Sequence, residues 1–399
     1  MSGNVLSRRI AATQAAFSVI ERFYFEAPYG ERRLVPGISD FTFGNPHEMP
    51  LPGIVEAIRA GAVPQNKDWF AYKTSEDEPR TVAAERLSAE LGLPFEPADV
   101  ALTGGAFAAS MVALRVLLDA GDEIIFSEPA WFCYEPMALA ADAVPRKVGL
   151  RADDFGLDLG AIEAAITPRT RIVVVNTPHN PTGRIYSEAE LRPLAELLDR
   201  GSERIGRRIF ILSDEPYRRL RFDGRGFTSP ATIYPWTLLV YSYAKVLLAP
   251  GQRLGYLALS PLMPQAEREA IRGVMFAAQM ALGWCFPNAV MQYALPRLED
   301  LSIDIAALAR RRDRLVAVLA EAGFKVVPPE GTFYLWVRWP DGVDRAQMWR
   351  ALADRDVFVL PGETCGGPGY FRISLTASDA MVERALPIFS EVVRELAPA

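Results

Sequence analysis

The chain has 399 residues, of which 50% are hydrophobic and 23% are charged, and its formal net charge is −6. This length and composition are typical of two globular domains with large cores, and they exclude a disordered chain. No block of five or more like charges occurs, so we expect no nucleic-acid partner and no polybasic membrane anchor. No apolar run approaches the roughly 18–20 residues of a membrane span, so we expect no membrane partner either.

The numbers and positions of the cysteines and histidines limit the kinds of catalytic and metal site that the chain is expected to have. Three widely spaced cysteines, Cys133, Cys285 and Cys365, form no CxxC pair, and the first residues lack the apolar core of a secretory signal. Both features are typical of a protein in the reducing cytoplasm. The chain has two histidines, His47 and His179. Since metal sites and Ser-His-Asp or Cys-His machinery usually need histidine, we expect no metal and no imidazole chemistry.

The middle of the chain alternates short apolar runs with longer amphipathic ones. Strands that alternate with helices indicate βαβ units, and hence an α/β fold in which a mostly parallel sheet lies between two layers of helices. The predicted helices span residues 108–118 and 188–200, and the predicted strands span residues 100–102, 123–126, 172–176, 209–213, 238–242 and 255–259.

After about residue 288 the pattern changes to that of a smaller α+β unit. It predicts helices over residues 304–322 and 378–396, and strands over residues 324–327, 333–337 and 370–375. Three parts are therefore expected. They are an N-terminal arm that completes the small domain (residues 1–45), a large domain (46–288) and a small C-terminal domain (289–399).

Two turns that follow predicted strands are candidate ligand sites, because ligands collect at the carboxyl ends of strands in open α/β sheets. Residues 103–107, TGGAF, open a helix; glycine admits a close ligand there and free amides attract phosphate, although an ordinary turn has the same pattern. The turn lacks the GxGxxG and GxxxxGKS/T spacings, which disfavours dinucleotide and nucleoside-triphosphate sites. Trp131 is able to stack on a flat heteroaromatic ring, although a single tryptophan is more often a core residue.

Two further strand ends carry polar groups in a specific arrangement. Residues 176–183, NTPHNPTG, form a loop that its prolines make rigid, which fixes the direction of the Asn180 amide. Asp214 follows an apolar strand, where a carboxylate is costly unless it pairs with a cation or reaches solvent.

Lys245 lies between an apolar strand and an apolar segment, with Ser242 and Arg253 nearby in the sequence. A single lysine is usually a solvated surface group. A lysine held among apolar groups, however, loses part of its affinity for the proton and becomes a usable amine nucleophile.

The order and spacing of these residues resemble those of the class I and II aminotransferases, which are pyridoxal-phosphate enzymes of fold type I. Asn180 and Asp214 are 34 residues apart (214 − 180), and Asp214 and Lys245 are 31 apart (245 − 214), as in that family. The resemblance extends over essentially the whole chain. Its motifs are NPTG at 180–183, D-x-x-Y at 214–217, and S-x-S/A-K at 242–245 followed eight residues later by Arg253.

The resemblance implies a role for each matching residue. Lys245 would form a Schiff base with pyridoxal 5′-phosphate and then move a proton between substrate and cofactor. Asp214 would keep the pyridine nitrogen protonated, and Trp131 would stack on the ring. Asn180 and Tyr217 would bond the phenolic oxygen. The cofactor phosphate would be bound by Gly105, Ala106, Phe107, Ser242 and Arg253.

Substrate and subunit contacts are implied in the same way. Arg372, in the sequence FRIS, matches the arginine that binds the substrate α-carboxylate, with Asn180 beside it. Gly44 and Asn45 fall in the loop that covers the substrate. Tyr72 matches a tyrosine that reaches the phosphate of the neighbouring subunit, so a homodimer with shared active sites is implied.

Several positions depart from the family pattern. After Tyr72, Asp77 replaces a glycine, and Thr81 and Val82 replace a Leu-Arg pair. Ala244 replaces a second phosphate-binding serine. Phe107 stands where some aspartate-preferring members carry a lysine, which disfavours a dicarboxylate substrate by that route.

The substrate side chain is expected to be enclosed by residues 23–33, by loops of the partner subunit and by residues 271–284. Arg32, Arg33 and Arg272 in these segments are candidates for binding an acidic substrate, although clustered arginines are more often surface charges.

Three hypotheses for function follow. The leading one is an aminotransferase that moves an amino group from an L-amino acid to a 2-oxo acid in a ping-pong cycle. The same cofactor also serves elimination, cyclisation and oxidation, and no residue in the sequence decides against these reactions. A non-catalytic ligand sensor is the third hypothesis. It is disfavoured because no basic helix-turn-helix precedes residue 40 and every catalytic position is filled.

Overall fold

Two β-sheets, each covered by helices, organise the chain. The computed structural model describes residues 5–283 and 286–396. Trp284 of the expected substrate pocket and Cys285 of the cysteine set lie outside the described residues. Within the described part, no helix is both long and apolar enough to cross a membrane.

The elements follow one another in three stretches. The first contains α1 (Arg8–Glu21), a π-helical turn (Arg22–Glu26), α2 (Pro28–Arg32), β1 (Ser39–Phe41), α3 (Pro52–Gly61) and α4 (Asp77–Leu91). The second contains β2 (Val100–Thr103), α5 (Ala106–Leu117), β3 (Glu123–Glu128), α6 (Tyr134–Ala140), β4 (Val144–Gly149), α7 (Leu159–Ala165), β5 (Thr170–Asn176), α8 (Glu188–Ile205), β6 (Phe210–Asp214), β7 (Thr237–Ser242), α9 (Tyr243–Val246), β8 (Gly255–Leu259) and α10 (Gln265–Leu282). The third contains α11 (Ala289–Leu298), α12 (Ile305–Glu321), β9 (Lys325–Val326), β10 (Tyr334–Arg338), α13 (Arg345–Asp354), β11 (Val357–Pro361), β12 (Tyr370–Ser374) and α14 (Asp379–Leu396).

The larger sheet has seven strands in the order β2-β8-β7-β6-β5-β3-β4. Strand β8 runs antiparallel to both of its neighbours, and the other neighbouring pairs are parallel. Residues of β5 alternate between two cores. Ile172 and Val174 pack with α5 and α10 on one face, while Val173 and Val175 pack with α7 and α8 on the other. The predicted α/β fold, a mostly parallel sheet between two helical layers, is thus confirmed.

The strand register brings distant polar residues to one edge of this sheet. Asn176 at the end of β5 pairs with Asp214 at the end of β6. Gly255 pairs with both Ser242 and Thr103, so the end of β7 lies beside the turn that opens α5. Most of the predicted site residues lie at or near these strand ends.

The smaller sheet has five strands in the order β1-β11-β12-β10-β9. Strand β1 from the N-terminal arm pairs in parallel with β11, so the arm completes the C-terminal unit as predicted. Helices α12, α13 and α14 contribute Leu315, Leu352 and Phe389 to its core. The domain boundaries at residues 45 and 288 stay predictions.

Three strands were not predicted from the sequence. Strand β4 is a half-exposed edge strand whose sequence, VPRKVG, lacks a regular apolar alternation. Strand β1 has three residues, and β11 is a short apolar run whose period does not distinguish it from a buried helical segment. The strand predicted at residues 209–213 lies one position later in the structure. Asp214 is therefore the last residue of β6 and not the first residue of the loop.

Candidate active site

A cleft of about 270 Å³ lies between the carboxyl ends of β5, β6 and β7 and residues of β10 and β12. Gly105 lies beside it, since a Cβ atom added to this glycine would meet two of the lining residues, Ser242 and Arg253. The predicted site residues that line the cleft are Gly44, Asn45, Ala106, Phe107, Trp131, Asn180, Asp214, Tyr217, Ser242, Lys245, Arg253 and Arg372.

Asp214 is a buried carboxylate, with 4% of its surface exposed. It accepts a hydrogen bond of 2.5 Å from the hydroxyl of Tyr134, the first residue of α6. Burial raises the pKa of Asp214 to about 6, although the Tyr134 hydrogen bond and the charge of Lys245 oppose the increase. A cationic partner in the cleft would therefore stabilise the ionised carboxylate.

The proline-rich loop after β5 is tied to its neighbours by two asparagines. Asn176 Oδ1 accepts from the Asn180 backbone amide (2.7 Å), and Asn176 Nδ2 donates to the Asp214 carbonyl (2.8 Å). His179, in the same loop, is buried with Nδ1 2.8 Å from Thr182 Oγ1, and burial lowers its pKa to about 3. His179 is thus neutral and belongs to the support of the loop.

Lys245 is held in α9, directly after β7, with its amine among aromatic rings. Its Nζ lies 5.5 Å from the centre of the Tyr217 ring and 5.9 Å from that of Phe333. Lys245 is also close enough to Asp214 to lower the pKa of that carboxylate. The cleft therefore contains an amine and a buried carboxylate, as the chemistry predicted for these residues requires.

A cradle for an anion forms where α5 begins. Gly105, at the N-cap of α5, has φ +90°, and a Cβ atom there would lie 3.0 Å from Arg253 Nη2 and 3.4 Å from Ser242 Oγ. Arg253 donates to the Pro250 carbonyl (2.9 Å) and has no carboxylate partner in the described part of the chain. A helix N-terminus, a hydroxyl and a free guanidinium together suit a phosphate.

Arg372 is a second cation without an acidic partner among the described residues. It is 2% exposed, and its two terminal nitrogens donate to Asn180 Oδ1 (2.9 Å) and the Thr42 carbonyl (3.0 Å). Its Nε has no hydrogen-bond partner, and its guanidinium lies 3.8 Å from the centre of the Tyr334 ring. A buried guanidinium beside a cleft favours a carboxylate ligand.

The chain was then compared with known proteins. The model of the family described as aminotransferase class I and II matches residues 37–389. The chain belongs to this family. The aspartate/prephenate aminotransferase of Thermus thermophilus is 31% identical over 97% of this chain and 98% of that protein. The probable aspartate/prephenate aminotransferase of Thermus aquaticus is 30% identical over 88% and 91%, respectively.

Solved structures agree with this assignment. An amino transferase from Eubacterium rectale superposes with a TM-score of 0.90 at 29% identity, over 99% of this chain and 100% of that one. The matches confirm the predicted family, the fold and the activity of an aminotransferase.

Among the described residues, no group of three or more His, Cys, Asp or Glu side chains is arranged to hold a metal ion.

Tyr72 of the aminotransferase lies outside the cleft of its own chain. Its side chain is fully exposed, in the segment between α3 and α4. It adjoins a shallow surface groove with Phe70, Lys73 and Phe286. Its predicted role in a neighbouring subunit stays a prediction.

The expected substrate enclosure by residues 23–33, the partner's loops and residues 271–284 stays a prediction. Among the described residues of these two ranges, none lines the cleft within a single chain. Phe23, Tyr24 and Tyr29 instead pack behind Phe43, which does line it. The arm therefore supports the cleft from outside because its aromatic rings form a core of their own.

The three candidate arginines in these segments are engaged elsewhere. Arg32 pairs with Asp356, and Arg33 lies over the Tyr24 ring. Arg272 pairs with Asp99 at 2.7 Å. The interpretation of these arginines as structural or surface charges is therefore the better one.

Several residues that shape the site were missed in the sequence. Tyr134 is three residues after Trp131 and is the first residue of α6. Its short distance in sequence from a predicted site residue was a signal that could have been used. Asn176 opens the loop that was singled out for Asn180. Phe43, Phe132 and Tyr334 had no sequence signal, since an aromatic residue in an apolar run has the same pattern whether it lines a core or a cleft.

Proposed function

We propose that this aminotransferase uses pyridoxal 5′-phosphate to move an amino group from an L-amino acid to a 2-oxo acid, with Lys245 as the residue that binds the cofactor covalently. One observation carries the proposal: the Lys245 amine, the buried Asp214 carboxylate and the unpaired Arg372 guanidinium share a single cleft. Two relatives are named as aspartate/prephenate aminotransferases, and these names support the proposal.

The residues present fit this cofactor at three points. The cradle of Gly105, Ser242 and Arg253, with the Ala106 and Phe107 amides at the start of α5, suits its phosphate. Asp214 suits the protonated pyridine nitrogen. Its buried carboxylate has Lys245 as its only nearby cation among the described residues, so a second cation would stabilise its charge. Trp131 offers a ring face beside both points, held edge-on by Tyr134 at 5.5 Å between centroids.

When bound, pyridoxal phosphate supplies an aldehyde that reacts with amines and a ring that takes up electrons from the substrate Cα. The protein's own groups set the conditions for this chemistry. Asp214, oriented by Tyr134, would hold a proton on the pyridine nitrogen. Asn180 and Tyr217 would donate hydrogen bonds to the phenolic oxygen, and Lys245 Nζ would carry the proton that leaves and returns to the substrate.

Arg372 binds the substrate α-carboxylate. Its hydrogen bonds to Asn180 and to the Thr42 carbonyl fix the guanidinium plane, so the side chain is oriented before the substrate arrives. Gly44 and Asn45 lie on the loop after β1 and cover the same end of the cleft.

The active enzyme is proposed to be a homodimer in which Tyr72 reaches the phosphate of the neighbouring subunit. Phe70 and Tyr72 are largely exposed and line the same surface groove, and an exposed apolar patch suits a contact surface. A cytoplasmic location is also proposed, on the basis of Cys133 and Cys365, which are buried free thiols.

Replacing Lys245 with alanine tests the proposal. The variant is expected to lose the visible absorbance of the lysine-bound cofactor and the covalent label left by borohydride reduction. Lys325→Ala is the matched control, because Lys325 is exposed and pairs with Asp341 (2.7 Å). A borohydride label retained in Lys245→Ala, or mapped by peptide mass to another lysine, would refute the assignment.

The reaction type is tested separately on the unmodified enzyme. An amino acid alone should convert the cofactor to its pyridoxamine form, and a 2-oxo acid should restore the original spectrum. Release of ammonia and a keto acid without the pyridoxamine form would instead indicate elimination.

A further inference from the structure

A network of charged and polar side chains, here called the anchor network, lies behind the residues of the cleft. Its members are Glu90 of α4, Arg218 and Arg219 after β6, Tyr243 of α9, and Glu299 directly after α11. None of these five is among the described residues that line the cleft, and Arg218, Tyr243 and Glu299 are buried. The proposed function assigns no role to the anchor network.

Lys245 lies beyond the part of its strand that the sheet fixes. Strand β7 ends at Ser242, and Lys245 follows three residues later (245 − 242), in a helix of four residues. A single helical turn makes few hydrogen bonds of its own, and the side chain of Ser242 makes no capping hydrogen bond to the described residues. The position of the Lys245 amine therefore depends on the contacts that α9 makes with other elements.

Two hydrogen bonds attach α9 to the segment after α11. The hydroxyl of Tyr243, the first residue of α9, donates to Glu299 Oε2 at 2.6 Å. The carbonyl of Val246, its last residue, accepts from the backbone amide of Ile303 at 2.9 Å. Burial and the charge of Glu299 raise the pKa of the Tyr243 hydroxyl, so it stays protonated and acts as the donor. Lys245 thus lies between two anchored residues.

Glu299 also binds the segment that follows Asp214. Its Oε1 accepts from Arg219 Nη2, and its carbonyl accepts from Arg219 Nη1 at 3.3 Å. Arg219 is five residues after Asp214 (219 − 214) and two after Tyr217 (219 − 217). One residue therefore joins the segment that carries Asp214 and Tyr217 to the helix that carries Lys245.

Glu90 holds the segment after β6 without involving α9. Its two carboxylate oxygens accept from Arg218 Nε at 2.9 Å and from Arg219 Nε at 2.7 Å. The segment therefore keeps two anchors when the hydrogen bond between Tyr243 and Glu299 is removed. Helix α9, in contrast, loses one of the two bonds that attach its ends to the segment after α11.

We infer that Glu299, acting through Tyr243, is a positioning residue that sets where the Lys245 amine lies relative to Asp214. This inference rests on the proposed function and goes beyond it, since neither positioning side chain lines the cleft. Reacting groups must be held to within about 0.5 Å, and a misplacement of about 1 Å costs about 100-fold in rate. Loss of the anchor therefore slows the chemistry of the amine and leaves the binding of cofactor and substrate unchanged.

The first test is Tyr243→Phe, which removes the hydroxyl and leaves the pairs between arginine and carboxylate intact. Pyridoxal phosphate is mixed with the cofactor-free variant, and the growth of visible absorbance gives the rate of covalent attachment to Lys245. This rate should fall at least about tenfold relative to the parent protein. The affinity for pyridoxamine 5′-phosphate, which has no aldehyde, should be unchanged in equilibrium dialysis, because the phosphate cradle and Asp214 keep their places.

Tyr234→Phe is the matched control. Tyr234 is also fully buried, and its hydroxyl donates to the Ile209 carbonyl (2.8 Å) at the opposite end of the sheet. This variant should lose about as much stability in urea as Tyr243→Phe without any change in the attachment rate. Equal slowing in the two variants, or none in Tyr243→Phe, would overturn the inference and leave the proposed function intact. A parent protein that attaches no cofactor covalently would overturn the proposed function, and the inference with it.

Glu299→Asp tests whether Tyr243 acts through Glu299. The shorter side chain keeps its charge but does not reach both Arg219 and Tyr243, so it should also slow attachment. In the double variant with Tyr243→Phe, the slowing should be clearly smaller than the product of the two separate effects. Slowing by the full product would overturn the inference, because Tyr243 would then act independently of Glu299.

Steady-state kinetics of the same variants provide a further measurement. In Tyr243→Phe and Glu299→Asp, kcat should fall and KM for the amino acid should not rise. The reason is that Arg372, which binds the substrate carboxylate, is held by Asn180 and Thr42, outside the anchor network. A raised KM with an unchanged kcat would overturn the inference.

Discussion

Replacing Asp214 with asparagine is expected to change stability and cofactor binding in opposite directions. Burial raises the pKa of Asp214 to about 6 in the protein without cofactor. Aspartate in an unfolded chain has a pKa of about 3.9, so the folded state binds the proton more tightly. The stability that this group contributes is present below about pH 4 and is lost as the pH rises to about 6.

The magnitude follows from the difference between the two pKa values. About two pH units correspond to about 3 kcal/mol of unfolding free energy, lost to the ionised carboxylate above about pH 6. Asparagine carries no charge and avoids this cost. The cofactor-free Asp214→Asn protein should therefore be more stable than its parent near pH 8, by up to about 3 kcal/mol, and the gain should disappear near pH 4.

Urea unfolding of the two cofactor-free proteins across this pH range measures the difference. Asp153→Asn is the control, because the Asp153 side chain is 83% exposed and its replacement should give no pH-dependent gain. With pyridoxal phosphate present the sign should reverse, since asparagine lacks the charge that pairs with the pyridine nitrogen, and titration should show weaker binding. A variant less stable than its parent near pH 8 without cofactor, or one with undiminished cofactor affinity, would refute the reasoning.

Three further changes test the site. Tyr134→Phe removes the hydrogen bond to Asp214 and should raise the pKa of that carboxylate by about one to two pH units, since such bonds to charged groups are worth about 1.5–3 kcal/mol. In urea unfolding of the cofactor-free protein, the loss of stability caused by ionisation of Asp214 should therefore move to higher pH, and an unmoved profile would count against the role. Gly105→Ala strains a residue at φ +90° and places a methyl 3.0 Å from a guanidinium nitrogen, so cofactor affinity measured by equilibrium dialysis should fall at least about tenfold. Gly149→Ala, which has open space around it, should leave that affinity unchanged. Tyr72→Phe should weaken cofactor binding without altering subunit association in the ultracentrifuge; unaltered affinity would show that the hydroxyl does not reach a phosphate.

The placement of the motif residues could be predicted well for a simple geometric reason. Parallel strands present their carboxyl ends at one edge of a sheet, so residues that follow successive strands converge in space. Asn180, Asp214 and Lys245 meet in one cleft for this reason, and Arg253 joins them because the antiparallel strand β8 begins at the same edge. The packing of the N-terminal arm behind Phe43 could not be predicted, because a local pattern does not show which partner an aromatic residue meets.

The sequence by itself determined the family, the α/β fold and most of the motif residues that line the cleft, since these depend on short motifs and on the local alternation of strands and helices. Only the tertiary structure decided that Tyr134 bonds Asp214 across 80 residues, that Asn180 bonds Arg372 across 192, and that Phe43 and Phe132 line the cleft. These facts depend on contacts between distant parts of the chain and on which charges remain unpaired after folding. Hydrophobic periodicity carries no information about either.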